Sequence, residues 1–288
     1  MADFLLFIVT LLAAAGWMFS KEALVGLPPL LFIGIRFFLA GITIALFCLP
    51  ALKRLTRQGY LDAIKVGLLF AGAMTCWVHG LFHIHHVGEG AFITSTAVVL
   101  IPVIARIWFN ERPPLSTWMA LPISCLGLAF LSLNNGFQIE SGQIYFLMAA
   151  LIFAVHFNMI TKVVANINAL PLTAIQLIVV GIVTFTLSAT TETWPNHVDT
   201  SIVLWLLASA LIATSLRFFI QTYAQGLASA SHAALILTVE PIWTALVAVF
   251  WLDETMTNYQ LVGCACIFAA LVISRWRWVV QMLRMRAA

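Results

Sequence analysis

Apolar residues occur along this chain in about ten stretches of helix length, and only short polar breaks separate them. A stretch of roughly 20 apolar residues can cross the hydrocarbon core of a bilayer, about 30 Å thick, as one α-helix. The pattern therefore predicts an all-α polytopic membrane protein with ten transmembrane helices. The predicted spans are 4–20, 30–49, 63–82, 91–109, 116–133, 143–161, 171–189, 201–222, 232–251 and 258–276.

Composition agrees with this class. Hydrophobic residues make up 62% of the 288 residues and charged residues only 9%, and the mean hydropathy is +1.04. Soluble domains are typically about 25% charged. Ten spans fit into this length only if the loops are short, which leaves no room for a separate aqueous domain. The five cysteines all fall in predicted spans, where we interpret them as small apolar side chains and not as a disulfide framework or a metal site.

The distribution of Lys and Arg predicts an orientation. If the N-terminus is cytoplasmic, eleven of these residues lie at cytoplasmic ends or loops and one, Lys21, lies outside. Because Lys and Arg are enriched in cytoplasmic loops, we expect a plasma (bacterial inner) membrane protein with both termini cytoplasmic. The eleven are Lys53, Arg54, Arg57, Lys65, Arg106, Arg112, Lys162, Arg275, Arg277, Arg284 and Arg286.

The two halves of the chain share their spacing. When the sequence is shifted by 143 positions, residues 67–131 align with residues 210–274 without a gap, helix on helix and loop on loop. Each half holds five predicted spans, and because five is odd the second half enters the membrane from the opposite side. We therefore expect two five-helix inverted-topology repeats, 1–139 and 140–288. In such folds the substrate site lies near the midplane between the halves.

Several segments are similar to a known family. They are GWMFSK (16–21), GLPPLLF (26–32) followed by Arg36-Phe37, AFIT (91–94), VLIP (99–102), NERP (110–113), and the pairs Glu240-Pro241 and Asp253-Glu254. In this order they resemble EamA-type transporters of the drug/metabolite transporter (DMT) superfamily. The resemblance implies ten helices in a 5+5 inverted repeat and transport of small metabolites by alternating access. Export is the direction that we expect, although the sequence itself does not show it. It names no substrate.

Ionisable residues inside the predicted spans are the first candidates for the site, because each costs about 2.5–3.5 kcal/mol to insert. In span 8, Thr214, Arg217 and Gln221 recur at helical spacing and form one polar stripe. Arg217 could anchor an anionic group, or it could form a structural ion pair. Glu240 precedes Pro241 in span 9 and could carry a proton, pair with Arg217, or stabilise a kinked helix.

Three further residues are candidates. His156 in span 6 and His79 in span 3 could line a cavity or relay protons, since histidine titrates near neutral pH, or they could be hydrogen-bonded packing residues. Trp17 in span 1 could form an aromatic wall or could be a core residue. Arg36 in span 2 is interpreted as an interfacial or structural charge, and Glu111 and Glu254 are interpreted as helix-entry and loop residues.

The predicted function is that of a secondary transporter for a small amphipathic metabolite, for instance an amino acid, at a cavity between spans 1, 3, 4 and 6, 8, 9. Its partners would be the substrate, the lipid bilayer and a coupling proton or ion. The alternative is a transition-metal carrier that uses His79, His83, His85 and His86, because the first two share one helical face. The sequence contains no ATP-binding loop, no metalloprotease or esterase motif and no basic-aromatic patch for nucleic acid. We therefore expect no cofactor and no enzymatic activity.

Overall fold

The computed structural model describes residues 2–109, 115–133, 140–164, 166–227, 236–237 and 239–274, and the described residues contain helices and no strand. The helices are α1 Ala2–Ala23, α2 Pro29–Phe47, α3 Leu49–Lys53, α4 Arg57–His83, α5 Val87–Ser95, α6 Ala97–Phe109, α7 Leu115–Leu133, α8 Ser141–Val164, α9 Ala169–Thr191, α10 Thr200–Ala210, a π-helical segment Leu211–Leu216, α11 Arg217–Leu227, α12 Glu240–Trp251 and α13 Asn258–Ser274.

These helices follow the predicted spans closely. Within the described residues, seven helical segments are long and apolar enough to cross a membrane, and three shorter apolar helices accompany them. One of the seven segments, Val87–Trp108, contains two helices, α5 and α6, which are separated at Thr96. Another, Thr200–Gln221, runs from α10 through the π-helical segment into α11.

Parts of two predicted spans and of the predicted loops lie outside the described residues. They include positions 232–235 and 238 of the ninth span and 275–276 of the tenth. Glu111 and five of the eleven cytoplasmic basic residues also fall there: Arg112, Arg275, Arg277, Arg284 and Arg286.

In the ninth span Pro241 does not kink the interior of a helix, which was the basis of one role considered for Glu240. In the structure α12 begins at Glu240, and Pro241 is one of its first two residues. A proline at this position costs little, because the N–H groups of the first turn have no partner within the helix. Glu240 therefore lies in the first turn, where the helix dipole favours a carboxylate.

Helices of the two halves pack mainly against each other. The pairs are α2 with α9, α7 with α13, α4 with α8 and α9, and α1 with α11 and α12. Each pair joins a helix from before position 139 to one from after it. The two halves therefore do not form separate bundles, and helices of both halves line the centre of the molecule.

Glycines allow α2 and α9 to approach closely. A Cβ atom at Gly181 would lie 2.6 Å from the backbone nitrogen of Phe38, and one at Gly34 would lie 2.9 Å from the Cα of Phe185. In lipid, where apolar side chains gain little by leaving their surroundings, such small-residue contacts contribute much of the packing energy between helices.

Two carboxylates hold helix ends on the opposite half. Glu192 accepts hydrogen bonds from the backbone N–H groups of Leu30 (2.8 Å) and Leu31 (3.0 Å) at the start of α2. Glu254, which is buried, accepts from the N–H of Val87 (2.7 Å) and of Gly88 (3.4 Å) at the start of α5. Glu254 is thus a capping residue that joins its loop to the first half, since acidic groups stabilise helix N-termini.

Replacing Gly181 with alanine is expected to destabilise the protein. The new methyl group would meet the backbone of α2, which cannot move away without separating the two helices, and such overpacking costs about 1–3 kcal/mol. We expect a lower midpoint of thermal unfolding in detergent.

Gly72→Ala is the matched control, because a Cβ atom at Gly72 on α4 would meet no atom within 4 Å. Its midpoint should stay at or slightly above that of the wild type, because alanine favours helix more than glycine does. Equal midpoints for the two variants would contradict the close approach of α2 and α9.

Candidate functional site

A cavity of about 330 Å³ lies between the two halves. Its lining comes from α1, α2, α4, α5, α6, α8, α11 and α12, together with Leu237 shortly before α12. Most of the wall is apolar or aromatic, and a few polar side chains point into it. The size is at the lower end of the range for small-molecule sites, about 300–1,000 Å³.

Both halves interrupt a helix at the cavity, and at equivalent positions. In the first half, Thr96 separates α5 from α6. In the second, the turn residue Val239, 143 positions later, precedes α12. Discontinuous helices at membrane depth are tolerated where they border a cavity or other protein, and transporters use them to build substrate sites.

Arg217 and Glu240 form an ion pair in this cavity. The Arg217 Nη2 lies 3.3 Å from the Glu240 Oε2, and each side chain is roughly one quarter exposed to the cavity (24% and 22%). The Nε1 of Trp17 donates to the other carboxylate oxygen, Oε1, at 3.4 Å. Three of the predicted site residues are therefore joined through one carboxylate.

The polar stripe predicted in span 8 is divided by the π-helical segment. Thr214 lies within that segment, where its Oγ1 donates to the carbonyl of Ser209, five residues earlier. Arg217 and Gln221 follow in α11 and line the cavity, whereas Thr214 is fully buried behind it. The Arg217 Nε and the Gln221 Oε1 are buried and have no hydrogen-bond partner among the described residues. Short π-helical segments often occur at functional sites.

His156 lines the same cavity. Its Nε2 forms a hydrogen bond of 3.1 Å with the Oε1 of Gln176, a buried residue of α9. Its ring stacks on that of Phe70, with 4.7 Å between centroids and an interplanar angle of 14°. The imidazole is thus held at one nitrogen and on one face.

Trp17 forms part of an aromatic wall, one of the two roles considered for it. Its ring packs edge-on against Trp77 at 4.8 Å and at a tilt against Phe146 at 5.6 Å between centroids. It is 5% exposed, so it is a packing residue as well as a lining residue.

His79 lies elsewhere and is not among the described residues that line the cavity. Its Nδ1 is 2.8 Å from the carbonyl of Thr75, and its ring stacks with that of His83 and contacts that of Tyr145 at a tilt of 38°. The described residues contain no group of three or more His, Cys, Asp or Glu that could hold a metal ion. Within the described residues, nothing therefore supports the metal-carrier alternative, which needs His79, His83, His85 and His86 together.

Glu89 follows the histidines His83, His85 and His86 in the sequence, but its side chain lies in a buried cluster of amides. It is buried (3% exposed) and accepts hydrogen bonds from the side-chain amides of Gln143 on α8 and Gln260 on α13, the latter at 3.1 Å. Sequence spacing gives no signal for this cluster, because its members lie more than 50 positions apart.

Arg36 is not an interfacial charge. Of the two interpretations, interfacial or structural, burial contradicts the first, and the buried side chain also lines the cavity. Its position inside span 2 indicates a candidate cavity residue in the same way as the position of Arg217 inside span 8.

The cavity is symmetric in its backbone and asymmetric in its charge. Positions that are 143 residues apart line it in pairs: Met74 and Arg217, Thr94 and Leu237, Ala97 and Glu240, Val98 and Pro241. At two of these pairs the first half has an apolar residue where the second half has a charged one.

Comparison with known proteins agrees with this architecture. A relative in Archaeoglobus fulgidus, described as an uncharacterized transporter, is 30% identical over 94% of this chain and 85% of its own. The uncharacterized transporter YoaV of Bacillus subtilis is 23% identical over 92% and 94%. One solved crystal structure has the same fold, with a TM-score of 0.68 at 18% identity over 95% of this chain and 96% of that chain.

The EamA-like transporter family matches residues 1–133 and again 140–276. This family has ten helices in two repeats, and its members are transporters and not enzymes. The chain is therefore a multi-pass membrane transporter that belongs to the EamA-like transporter family.

Proposed function

We propose that this protein is a secondary transporter that exports a small amphipathic metabolite, for instance an amino acid, by alternating access. The observation that carries this proposal is the 330 Å³ cavity between the halves, which combines aromatic walls with the Arg217–Glu240 pair at an interrupted helix. An apolar site with a few placed polar groups suits a small molecule that has both kinds of surface.

Contacts at one end of the cavity support alternating access. There the Nζ of Lys21 on α1 donates to the carbonyls of Leu81 (3.0 Å) and Ile84 (2.7 Å) at the end of α4. Beside it, Phe146 of the second half packs against Trp17. The Lys21 bonds lie within the first half, whereas the packing of Phe146 against Trp17 joins the two halves. A rocking motion of one half against the other would therefore break this aromatic contact.

The charge pair suits a transport cycle because its members can exchange partners. A substrate with an ionic group would compete with Glu240 for Arg217, or with Arg217 for Glu240. A proton or another ion on Glu240 is the proposed coupling partner, since neutralising this carboxylate would release Arg217. The predicted repeat boundaries, 1–139 and 140–288, are part of this proposal, as is a bacterial inner-membrane location with both termini in the cytoplasm.

Replacing the charge pair is expected to abolish most transport. In Arg217→Ala with Glu240→Gln both charges of this pair are removed from the cavity, so a substrate that exchanges with them loses charge-assisted hydrogen bonds. In inside-out vesicles, where export appears as uptake, we expect the initial uptake rates across a metabolite panel to fall about tenfold or more.

Lys65→Gln is the control for this experiment, because Lys65 is an exposed residue of α4 that pairs with Asp62 and lies outside the cavity. It should transport at the wild-type rate. Unchanged transport in the double variant would overturn the assignment of the pair to the substrate site.

The orientation can be tested with single cysteines in a cysteine-free background. We expect Asn196→Cys, in the exposed segment after α9, to react with a membrane-impermeant maleimide added to intact spheroplasts. Gln58→Cys, exposed at the start of α4, should react only after the membrane is permeabilised. The reverse pattern would place the N-terminus outside.

A further inference from the structure

Arg36 is a buried cation that other side chains hold in place. Only 5% of the residue is exposed, at the middle of α2. Its Nε donates to the Oγ1 of Thr214 and its Nη1 donates to the Oγ of Ser20, both at 2.7 Å. Each hydroxyl donates its own hydrogen elsewhere, to the carbonyls of Ser209 and Gly16 respectively. Both oxygens therefore present lone pairs to the guanidinium, and its orientation is defined on two sides.

The third nitrogen has no such partner. Among the described residues, the structure gives Nη2 of Arg36 no hydrogen bond. A Cβ atom at Gly16 would lie 3.7 Å from this nitrogen, so Nη2 faces a cavity-lining position that has no side chain.

No carboxylate neutralises Arg36 within the part of the chain that the structure describes. The ion pairs there are Lys65–Asp62, His197–Asp199 and Arg217–Glu240. Glu240, the acidic residue of the cavity lining, is thus already paired with another arginine. The Arg36 charge is stabilised instead by neutral hydroxyls and aromatic rings. The guanidinium carbon lies 5.5 Å from the ring centroid of Phe37 and 6.0 Å from that of Trp77.

Charge balance in the cavity points to the ligand. The described lining holds two guanidinium groups and one carboxylate, an excess of one positive charge. A permanently charged group in a membrane protein requires a counter-charge or water, because its desolvation is costly. One monoanion bound at Arg36 would balance the cavity, whereas a zwitterion would not.

We propose that Arg36 binds the carboxylate of the transported molecule, and that the substrate is a small organic monoanion with an apolar body. The carboxylate accepts from Nη2, and the apolar body lies against the rings of Phe37, Phe70 and Trp77. This assignment rests on the proposed transport function and narrows its substrate class from amphipathic compounds in general to net-negative ones. A guanidinium suits the role because it recognises carboxylates with directional hydrogen bonds.

The competing role for Arg36 is structural, as a clamp between α2 and the π-helical segment. A clamp would affect all ligands alike, whereas an anion site would discriminate between an acid and its neutral isostere. The measurement that separates the two roles is therefore the ratio of the affinities for an acid and for its neutral isostere.

The test uses pairs of acids and amides with the same body, measured by calorimetry on the full-length protein in detergent. The probes are phenylacetate with phenylacetamide and 4-methylpentanoate with 4-methylpentanamide, and leucine represents the zwitterion. We expect the wild type to prefer each acid over its amide by about tenfold or more, and 4-methylpentanoate over leucine.

Variants assign the preference to Arg36. Arg36→Gln, which can still bond the two hydroxyls, should bring the acid-to-amide ratio close to one, whereas Arg36→Lys should retain a reduced preference. Lys65→Gln, which removes one positive charge at the surface, should keep the wild-type ratio. If Arg36→Gln does not fold, the acid-to-amide ratios of the wild type and of Arg36→Lys still test whether Arg36 binds the carboxylate.

Two results would overturn the inference: no acid in the panel binding the wild type better than its amide, or a preference that survives in Arg36→Gln. Either could occur while vesicles still transport a neutral or cationic metabolite, and the proposed transport function would then stand. Conversely, acid binding that depends on Arg36 without transport of any panel member would contradict the transport proposal and leave the anion site supported.

Discussion

The hydrocarbon core of a bilayer offers no water to polar groups, and this constraint determines how the protein is built. Backbone N–H and C=O groups must pair within helices, and the interruptions at Thr96 and Val239 occur where the chain borders the central cavity. Side chains obey the same rule. Arg217 pairs with Glu240, His156 with Gln176, and Glu89 with two glutamines. Each of these contacts joins residues of different helices.

The same constraint explains why the two halves are interleaved. Lipid tails are as apolar as leucine, so helices gain stability in the membrane from close packing and from interhelical hydrogen bonds. Gly181 against the backbone at Phe38, and Glu254 on the first turn of α5, both join one half to the other. The cavity is therefore formed by the interface itself, and a motion of one half relative to the other would change its shape.

A symmetric frame with asymmetric charges is a simple route to a specific site. The two halves share the position of the helix break, but Arg217 and Glu240 of the second half correspond to Met74 and Ala97 of the first. Arg36 comes from the first half and is oriented by Thr214 of the second. The duplicated backbone supplies the cavity, and individual substitutions in each half decide what it attracts.

What the sequence by itself determined are the properties that depend on local composition and periodicity. Most of the span boundaries lie within a few residues of the described helices, although α4 begins at Arg57 and not at the predicted 63. Five of the six candidate site residues line one cavity: Trp17, His156, Arg217, Gln221 and Glu240. Local pattern was sufficient for these, because any polar residue deep in a span has to face protein or a cavity.

Only the tertiary structure decided which of those polar residues meet. The partners of Glu240 include a residue 223 positions away, and those of Arg36 one 178 positions away, distances over which no spacing rule applies. His79 and Glu89 are close in sequence to the outer histidines, yet one bonds within its own helix and the other joins three helices. The π-helical turn at Thr214 likewise has no signal in the sequence, where the eighth span predicts one continuous α-helix. Contacts between distant helices fix these features, and their energies depend on geometry that no local pattern contains.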